Sequence, residues 1–186
     1  MSMPETFEQR IAGLGGSIQA SAIRAQFGPS DLWVPVAGWS PIEEAETGTA
    51  MMAAIDIERS TDGFTPNITA LLWQVHAPVQ SAGAMTEGIV TTDVPVGFEL
   101  ISRQNGAIPV AHDGTGRWFR DEFRMTETNL GIESYARLDL YPCAIAPSTF
   151  HALQRTHTTP AGYAGSVPVT RDVEMAAQCQ RICAAT

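Results

Sequence analysis

Apolar and polar residues alternate with period two through much of this chain, and the alternation is clearest between Arg117 and Tyr141, where it predicts one β-hairpin. Thr128-Asn129-Leu130-Gly131 carries the turn chemistry, with Gly131 free to take positive φ at the end of a four-residue loop. Closing the ladder with Glu127 opposite Ile132 sets Phe119 against Leu140, Phe123 against Ala136 and Met125 against Ser134 on one face. The other face then matches Arg120 with Asp139, Glu122 with Arg137 and Trp118 with Tyr141. Facing opposite charges and paired aromatics favour such a register by about 0.2–1 kcal/mol each, and a slip of one residue would set Phe123 against Arg137. The expected core face is Phe119, Phe123, Met125, Ala136, Leu138 and Leu140.

Further strands are expected over Met51–Ile57, Ile68–Val75, Phe98–Arg103 and Phe150–Thr158, with a short apolar run at Leu32–Val36. Ile68–Val75 is apolar on both parities, the mark of a central strand covered on both faces. Helical spacing appears in three places. Phe7, Ile11 and Leu14 fall at i, i+4, i+7 after Pro4, and Ile18, Ala22 and Phe27 extend that stripe to the Gly28-Pro29 break. Ser81 caps a helix towards Thr91 that carries Met85 and Ile89. Thr170 caps a final helix whose buried stripe is Met175, Ala176, Cys179, Ile182 and Cys183. This order reads as α+β: an antiparallel sheet flanked by helices. It comprises an N-terminal helical arm at 1–28 and a single domain at 29–186. The arm, led by Phe7, Ile11 and Leu14, packs on the domain or on a partner.

Composition narrows the chemistry. The 186 residues are 44% hydrophobic and 17% charged, with net charge −9, as in a folded soluble domain. No apolar run approaches the roughly 20 residues of a membrane span, and the start lacks the basic and apolar regions of a signal peptide, so a cytoplasmic setting is expected. There is no lysine; all eleven basic residues are arginine. That removes lysine-based phosphate loops and Schiff-base chemistry, and leaves carboxylate or phosphate recognition to arginine. An acidic chain with scattered arginines is not expected to bind nucleic acid. Cys143, Cys179 and Cys183 suggest no disulfide framework; Cys179 and Cys183, one helical turn apart, read as reduced, metal-free packing residues.

Catalytic templates fail. There is no His-Glu-x-x-His, Gly-x-Ser-x-Gly or Gly-x-Gly-x-x-Gly sequence, and nothing selects a nucleophile to go with His112 and Asp113. His151 and His157 share strand parity but stand about 20 Å apart along an extended chain, too far to hold one metal. Asp121 is the most informative polar residue, since the hairpin register places it opposite Leu138 between Phe119 and Phe123. A carboxylate there is costly unless it is paired or wet. It lines a ligand cavity with those two rings, or a bulge or a short covering helix leaves it in water.

The succession Val34-Pro35, Gly38-Trp39, an acidic loop at Glu43, Glu44 and Glu46, then Asp62-Gly63-Phe64-Thr65-Pro66-Asn67-Ile68-Thr69 entering a strand, resembles the actinobacterial LpqN-like proteins. So do the later meander and the Thr170-Arg171-Asp172-Val173-Glu174 segment. The resemblance spans Leu32 to Cys183 and implies a PsbP-like fold, no catalytic residues and no cofactor. It also implies a cell-envelope or lipid-transport role exercised through protein contacts, with Asn67 matching the family motif. The chain departs from the pattern in having no lipobox cysteine. The reading expected is a non-enzymatic binding or adaptor protein with an unknown protein partner or with itself. The alternative is a carrier of a small apolar or lipid ligand between sheet and helix, with a hydrolase as a distant third. The partner surface is expected on Phe7, Ile11 and Leu14 beside the acidic Glu43–Glu46 loop.

Overall fold

A computed structural model describes residues 5–20, 34, 36–42, 52–61, 63–78, 84–85, 97–108, 117–125, 131–143, 146, 148–168 and 177; for Ala20, Met52, Arg117, Phe119, Arg120 and Met125 it describes the backbone alone. The chain opens with α1 (Phe7–Gly13), whose start is dictated by its first residues. The Thr6 hydroxyl accepts from the Gln9 amide at 3.2 Å, and the Gln9 side chain accepts from the Thr6 amide at 3.0 Å, a reciprocal capping box.

Among the described residues eight strands follow: β1 (Ser17–Ala20), β2 (Trp39–Ile42), β3 (Met52–Asp56), β4 (Asn67–His76), β5 (Phe98–Ala107), β6 (Arg117–Met125), β7 (Ile132–Pro142) and β8 (Thr149–Pro160). They form one sheet in the order β2-β3-β4-β8-β7-β6-β5, with β1 beside β3 on the same edge of β4, and every pairing is antiparallel. β4 is central, as its two apolar faces predict. The architecture is an antiparallel sheet with the helix α1 at its N-terminus. No described helix is long and apolar enough to cross a membrane.

The arm is part of the body. Phe7 and Ile11 pack with Val75, Ala77, Met85, Leu138, Leu140, Phe150 and Ala152 in one buried cluster, flanked by Leu14, Ile18 and Trp73. Ile18 continues no helix; it sits on β1 opposite Val75. The expected helical stripe ends early because Gly15 turns the chain at φ 74° and Gly16 lies against β4, where a Cβ would strike the His76 carbonyl. Of the two destinations expected for the arm, its described residues 5–20 take the first and pack on the domain. Burying two large apolar residues against the sheet outweighs leaving them in water by about 1.5–3 kcal/mol apiece.

The β6–β7 pairing is also corrected. Phe119 stands opposite Leu138, Arg120 opposite Arg137, Asp121 opposite Ala136 and Phe123 opposite Ser134, two residues away from the expected register. A shift of two preserves parity, so Phe123, Ala136, Leu138 and Leu140 are still buried. The described part of β6 ends at Met125 and that of β7 begins at Ile132; of the expected turn, Thr128, Asn129 and Leu130 lie outside the described residues, and Gly131 takes φ 55° as expected. Pair preferences of a few tenths of a kcal/mol cannot choose between registers of equal parity. The context on both sides decides: eleven pairs join β7 to β8, and β5 fixes β6 from the other edge.

The expected Leu32–Val36 run, the helix after Ser81 and the final helix after Thr170 lie largely outside the described residues, although Ala84, Met85 and Ala177 are helical. Cys143 is buried and disulfide-bonded. The expectation of no disulfide is thereby corrected, while Cys179 and Cys183 lie outside the described residues. Spacing rules compare near neighbours and do not announce a bridge to a distant cysteine.

Candidate functional site

Cross-strand register builds two different sheet faces. On the face that carries α1, β7 contributes Ser134, Ala136, Leu138 and Leu140, and β6 contributes Asp121 and Phe123. Asp121 is fully buried there, and it neither stays in water nor stands without a cation. Its Oδ1 accepts from Arg103 Nε at 3.0 Å, because β5 places Arg103 directly opposite. Beside it, Phe123 is buried and Ser134 shares a hydrogen bond with Thr158 at 3.2 Å. Phe119 lies one pair further along, opposite Leu138 and Asn105. This set is a cross-strand ion pair within an apolar layer. The expected strand Phe98–Arg103 includes this partner, but only the pairing of β5 with β6 brings Arg103 opposite Asp121.

The opposite face is richer in charge. Register aligns Gln104, Arg120, Arg137, Arg155 and Ala70 in one row across β5, β6, β7, β8 and β4. Asp139, fully buried, lies one step along β7. Its Oδ1 accepts from Arg137 Nε at 2.8 Å and lies 2.8 Å from Arg137 Nη2, while Arg155 Nη2 donates to Oδ2. The Arg137 guanidinium sits 5.2 Å from the centre of the Trp118 ring. Register thus sets Arg120 opposite Arg137 rather than Asp139, while Asp139 binds Arg137 and Arg155; the Arg120 side chain lies outside the described residues. The i, i+2 spacing of Arg137 and Asp139 on one strand face was the visible signal of the bond between them. In the next row Tyr135 and His157 hold their rings 4.6 Å apart. The glutamates of this face meet other donors: Ser102 donates to Glu122 at 2.6 Å, and Arg124 and Tyr135 donate to Glu133 at 3.2 and 3.1 Å. His151 is buried near the end of β8, and burial lowers its pKa from 6.5, so it is neutral at pH 7.

A third cluster ties the chain after β8 to the β2–β3 edge. Asp56, fully buried, accepts from the Tyr163 hydroxyl, from Arg59 Nη1 at 2.9 Å and from the Arg59 amide at 3.3 Å. Burial pushes the Asp56 carboxyl up, but Tyr163 and Arg59 outweigh it and hold the group below the ordinary 3.8. Burial and the Asp56 carboxylate together raise the Tyr163 phenol above 10.0. Trp39 stands opposite Asp56 on β2, donates Nε1 to the Ser166 carbonyl at 2.9 Å and meets Tyr163 edge-on at 6.4 Å. Gly38 before it takes φ 91°, with Asp56 and Arg59 crowding the space a side chain would need. Asn67, at the mouth of β4, donates Nδ2 to the Thr65 carbonyl at 3.1 Å and so closes a turn. Gly38 and Trp39 thus border this clasp, and the Asp56 amide donates to the Pro66 carbonyl of the second motif at 3.0 Å.

The sheet edges differ. β2 is four residues long and contains Pro41, a combination that blocks further pairing. β5 is ten residues long without proline, pairs only with β6 among the described residues, and exposes Leu100 (36%) and Ile101 (44%) at an irregularity between Leu100 and Ser102. Phe7 (3%) and Ile11 (1%) are turned inward, so the expected apolar partner face on α1 does not exist; Leu14 packs against the same core. The acidic loop expected beside it lies outside the described residues. Among the described residues no group of three His, Cys, Asp or Glu could hold a metal.

No family model matches the chain, and no curated protein is significantly similar to it in sequence. Its shape is similar to that of a solved protein, LpqN of Mycobacterium tuberculosis, which is involved in cell envelope biogenesis. The two superpose over 100% of this chain and 97% of that one, with a TM-score of 0.61 at 12% sequence identity. End to end, the chain has the LpqN fold.

Proposed function

We propose that the chain is a non-enzymatic binding protein of the actinobacterial LpqN-like kind, with its PsbP-like meander, and that it acts through contacts with another protein. The observation that carries this reading is the match to LpqN over both whole chains, a protein involved in cell envelope biogenesis. Two further features support it. The buried charges of the sheet are spent on one another, as Asp121 on Arg103 and Asp139 on Arg137 and Arg155, an arrangement that serves architecture. The exposed apolar pair Leu100–Ile101 lies on a long edge strand, where an extended partner segment adds backbone hydrogen bonds and buries apolar side chains. An oxidising, extracytoplasmic setting belongs to the same reading, because disulfides such as that of Cys143 persist there.

Photo-crosslinking in cells tests the assignment. A benzophenone amino acid at Ile101 is expected to give a discrete protein adduct, and the same group at Glu8, on the exposed side of α1, is expected to give none. Equal labelling at both positions, or none at Ile101, would remove β5 as the partner surface.

A further inference from the structure

We propose that the edge of β5 takes an extended segment of a different, basic polypeptide, with an arginine or lysine of that segment set against Glu99. The proposal rests on the reading of β5 as the partner surface and names the chemistry of the partner. The edge itself is the first argument. Residues 98–107 pair with β6 alone among the described residues, and Glu99, Leu100, Ile101, Gln104, Asn105 and Ala107 along them are exposed. Proteins that keep such an edge from pairing place lysine or proline on it, or cover it. β5 carries neither residue, whereas β2 at the far side of the sheet is short and holds Pro41. The irregularity between Leu100 and Ser102 leaves Ile101 as the extra residue outside the β5–β6 ladder, and from Ser102 to Ala107 the ladder runs without a break. A strand laid along residues 102–107 gains backbone hydrogen bonds, and where it passes the bulge its side chains reach Ile101, Leu100 and Glu99.

Charge chooses the occupant. Glu99 makes no hydrogen bond or ion pair among the described residues. Arg124, opposite it on β6, donates to Glu133 at 3.2 Å, and Arg103, the one cation of β5, donates to Asp121 at 3.0 Å. A second copy of the chain is a poor occupant: its β5 brings the same committed arginine, and net charge −9 on each copy keeps the two apart. A segment with a basic residue beside an apolar one suits both features of the edge. The cation faces Glu99, and the apolar side chain covers Leu100 or Ile101, which are 36% and 44% exposed. The acidic chain also steers such a segment towards the edge.

The test uses the full-length, disulfide-intact, isotope-labelled protein and three capped peptides of equal length. One is a threonine–valine peptide carrying a single arginine, the second has glutamate in place of that arginine, and the third is the arginine peptide N-methylated at alternate residues. Binding is followed by the amide resonances of β5 and their exchange with deuterium. The arginine peptide is expected to shift the Phe98–Ala107 amides saturably and to slow their exchange, the glutamate peptide to bind more weakly, and the N-methylated peptide to lose the protection. Glu99→Gln is expected to weaken the arginine peptide about two- to fivefold, the scale of one exposed ion pair, and Glu8→Gln on α1 to leave it unchanged. Equal binding of the arginine and glutamate peptides, or an arginine peptide indifferent to Glu99→Gln, would overturn the basic partner. The Ile101 adduct in cells does not depend on that charge, so its presence would then still support β5 as the partner surface. Peptides that bind elsewhere or not at all would also overturn the proposal, and only loss of the Ile101 adduct as well would remove both readings.

Discussion

Ile11→Ala discriminates between an α1 that belongs to the core and one that is an arm. Ile11 is 1% exposed and packs in one cluster with Phe7, Val75, Leu138, Leu140, Phe150 and Ala152, so truncation removes most of a buried side chain where the neighbouring strands cannot collapse inward. Large-to-small changes at such sites cost about 2–5 kcal/mol, the transfer of the lost methylenes plus the cavity they leave. Taking roughly 3 kcal/mol and a urea slope near 2 kcal/mol per molar, the unfolding midpoint should fall by about 1.5 M with the slope unchanged. That is a large share of the 5–15 kcal/mol typical of a domain. Urea titrations followed by tryptophan fluorescence and by far-ultraviolet circular dichroism should shift together, because a helix within the cooperative unit does not melt separately. Glu8→Ala, on the exposed side of the same helix, should stay within about 0.5 kcal/mol of the parent. An Ile11→Ala midpoint indistinguishable from the parent, or an early transition confined to the helical signal, would refute the packing of α1 on the sheet.

Other expectations follow from the same geometry. Arg103→Ala takes from buried Asp121 its partner on β5 and should cost about 3 kcal/mol, against about 0–1 kcal/mol for Arg124→Ala on its more exposed pair with Glu133; equal losses in chemical denaturation would contradict this. Because the folded pKa of Asp56 lies below its unfolded 3.8, the clasp contributes stability that is full above that value and is lost as pH falls through the folded pKa. The raised phenol of Tyr163 removes stability again as pH rises above 10.0, so Tyr163→Phe should flatten both limbs of a stability–pH curve. His151, with its folded pKa depressed, costs stability as pH falls below 6.5 towards the folded value, and His151→Gln should reduce that slope between about pH 5 and 7. Without reductant, the unfolded chain should titrate one thiol rather than three, and Cys143→Ser should lower stability by about 2–5 kcal/mol.

How far the sequence could be read depended on the range of the interaction concerned. Strand positions and faces were legible wherever one parity is apolar, as in Ile68, Ala70 and Leu72 of β4 or Ala136, Leu138 and Leu140 of β7, because period two is a local property. Register was not. Arg120 opposite Arg137 runs against local pair preference, and it is tolerated because Asp139 binds Arg137, a compensation that involves Arg155 on a third strand. Asp121 was legible as an anomaly on an apolar face, but its partner Arg103 depends on how β5 pairs with β6. The disulfide of Cys143 and the clasp between Asp56 and Tyr163 join residues far apart in the chain, and nothing local announces them. The apolar stripe Phe7–Ile11–Leu14 was read correctly as a helix face. The Gly15–Gly16 turn and the pairing of β1 with β4, which fold that face back onto the sheet, set its destination.

Native mass spectrometry of the chain purified gently from its own cells, beside an Ile101→Arg variant prepared in the same way, most directly tests whether it is a binding protein working through β5. The account predicts a stoichiometric complex with a second polypeptide that is lost in the variant, while the variant's own mass and fold are retained. A lipid or other small apolar molecule bound in both proteins, with no polypeptide partner in either, would contradict it and would turn the chain into a carrier.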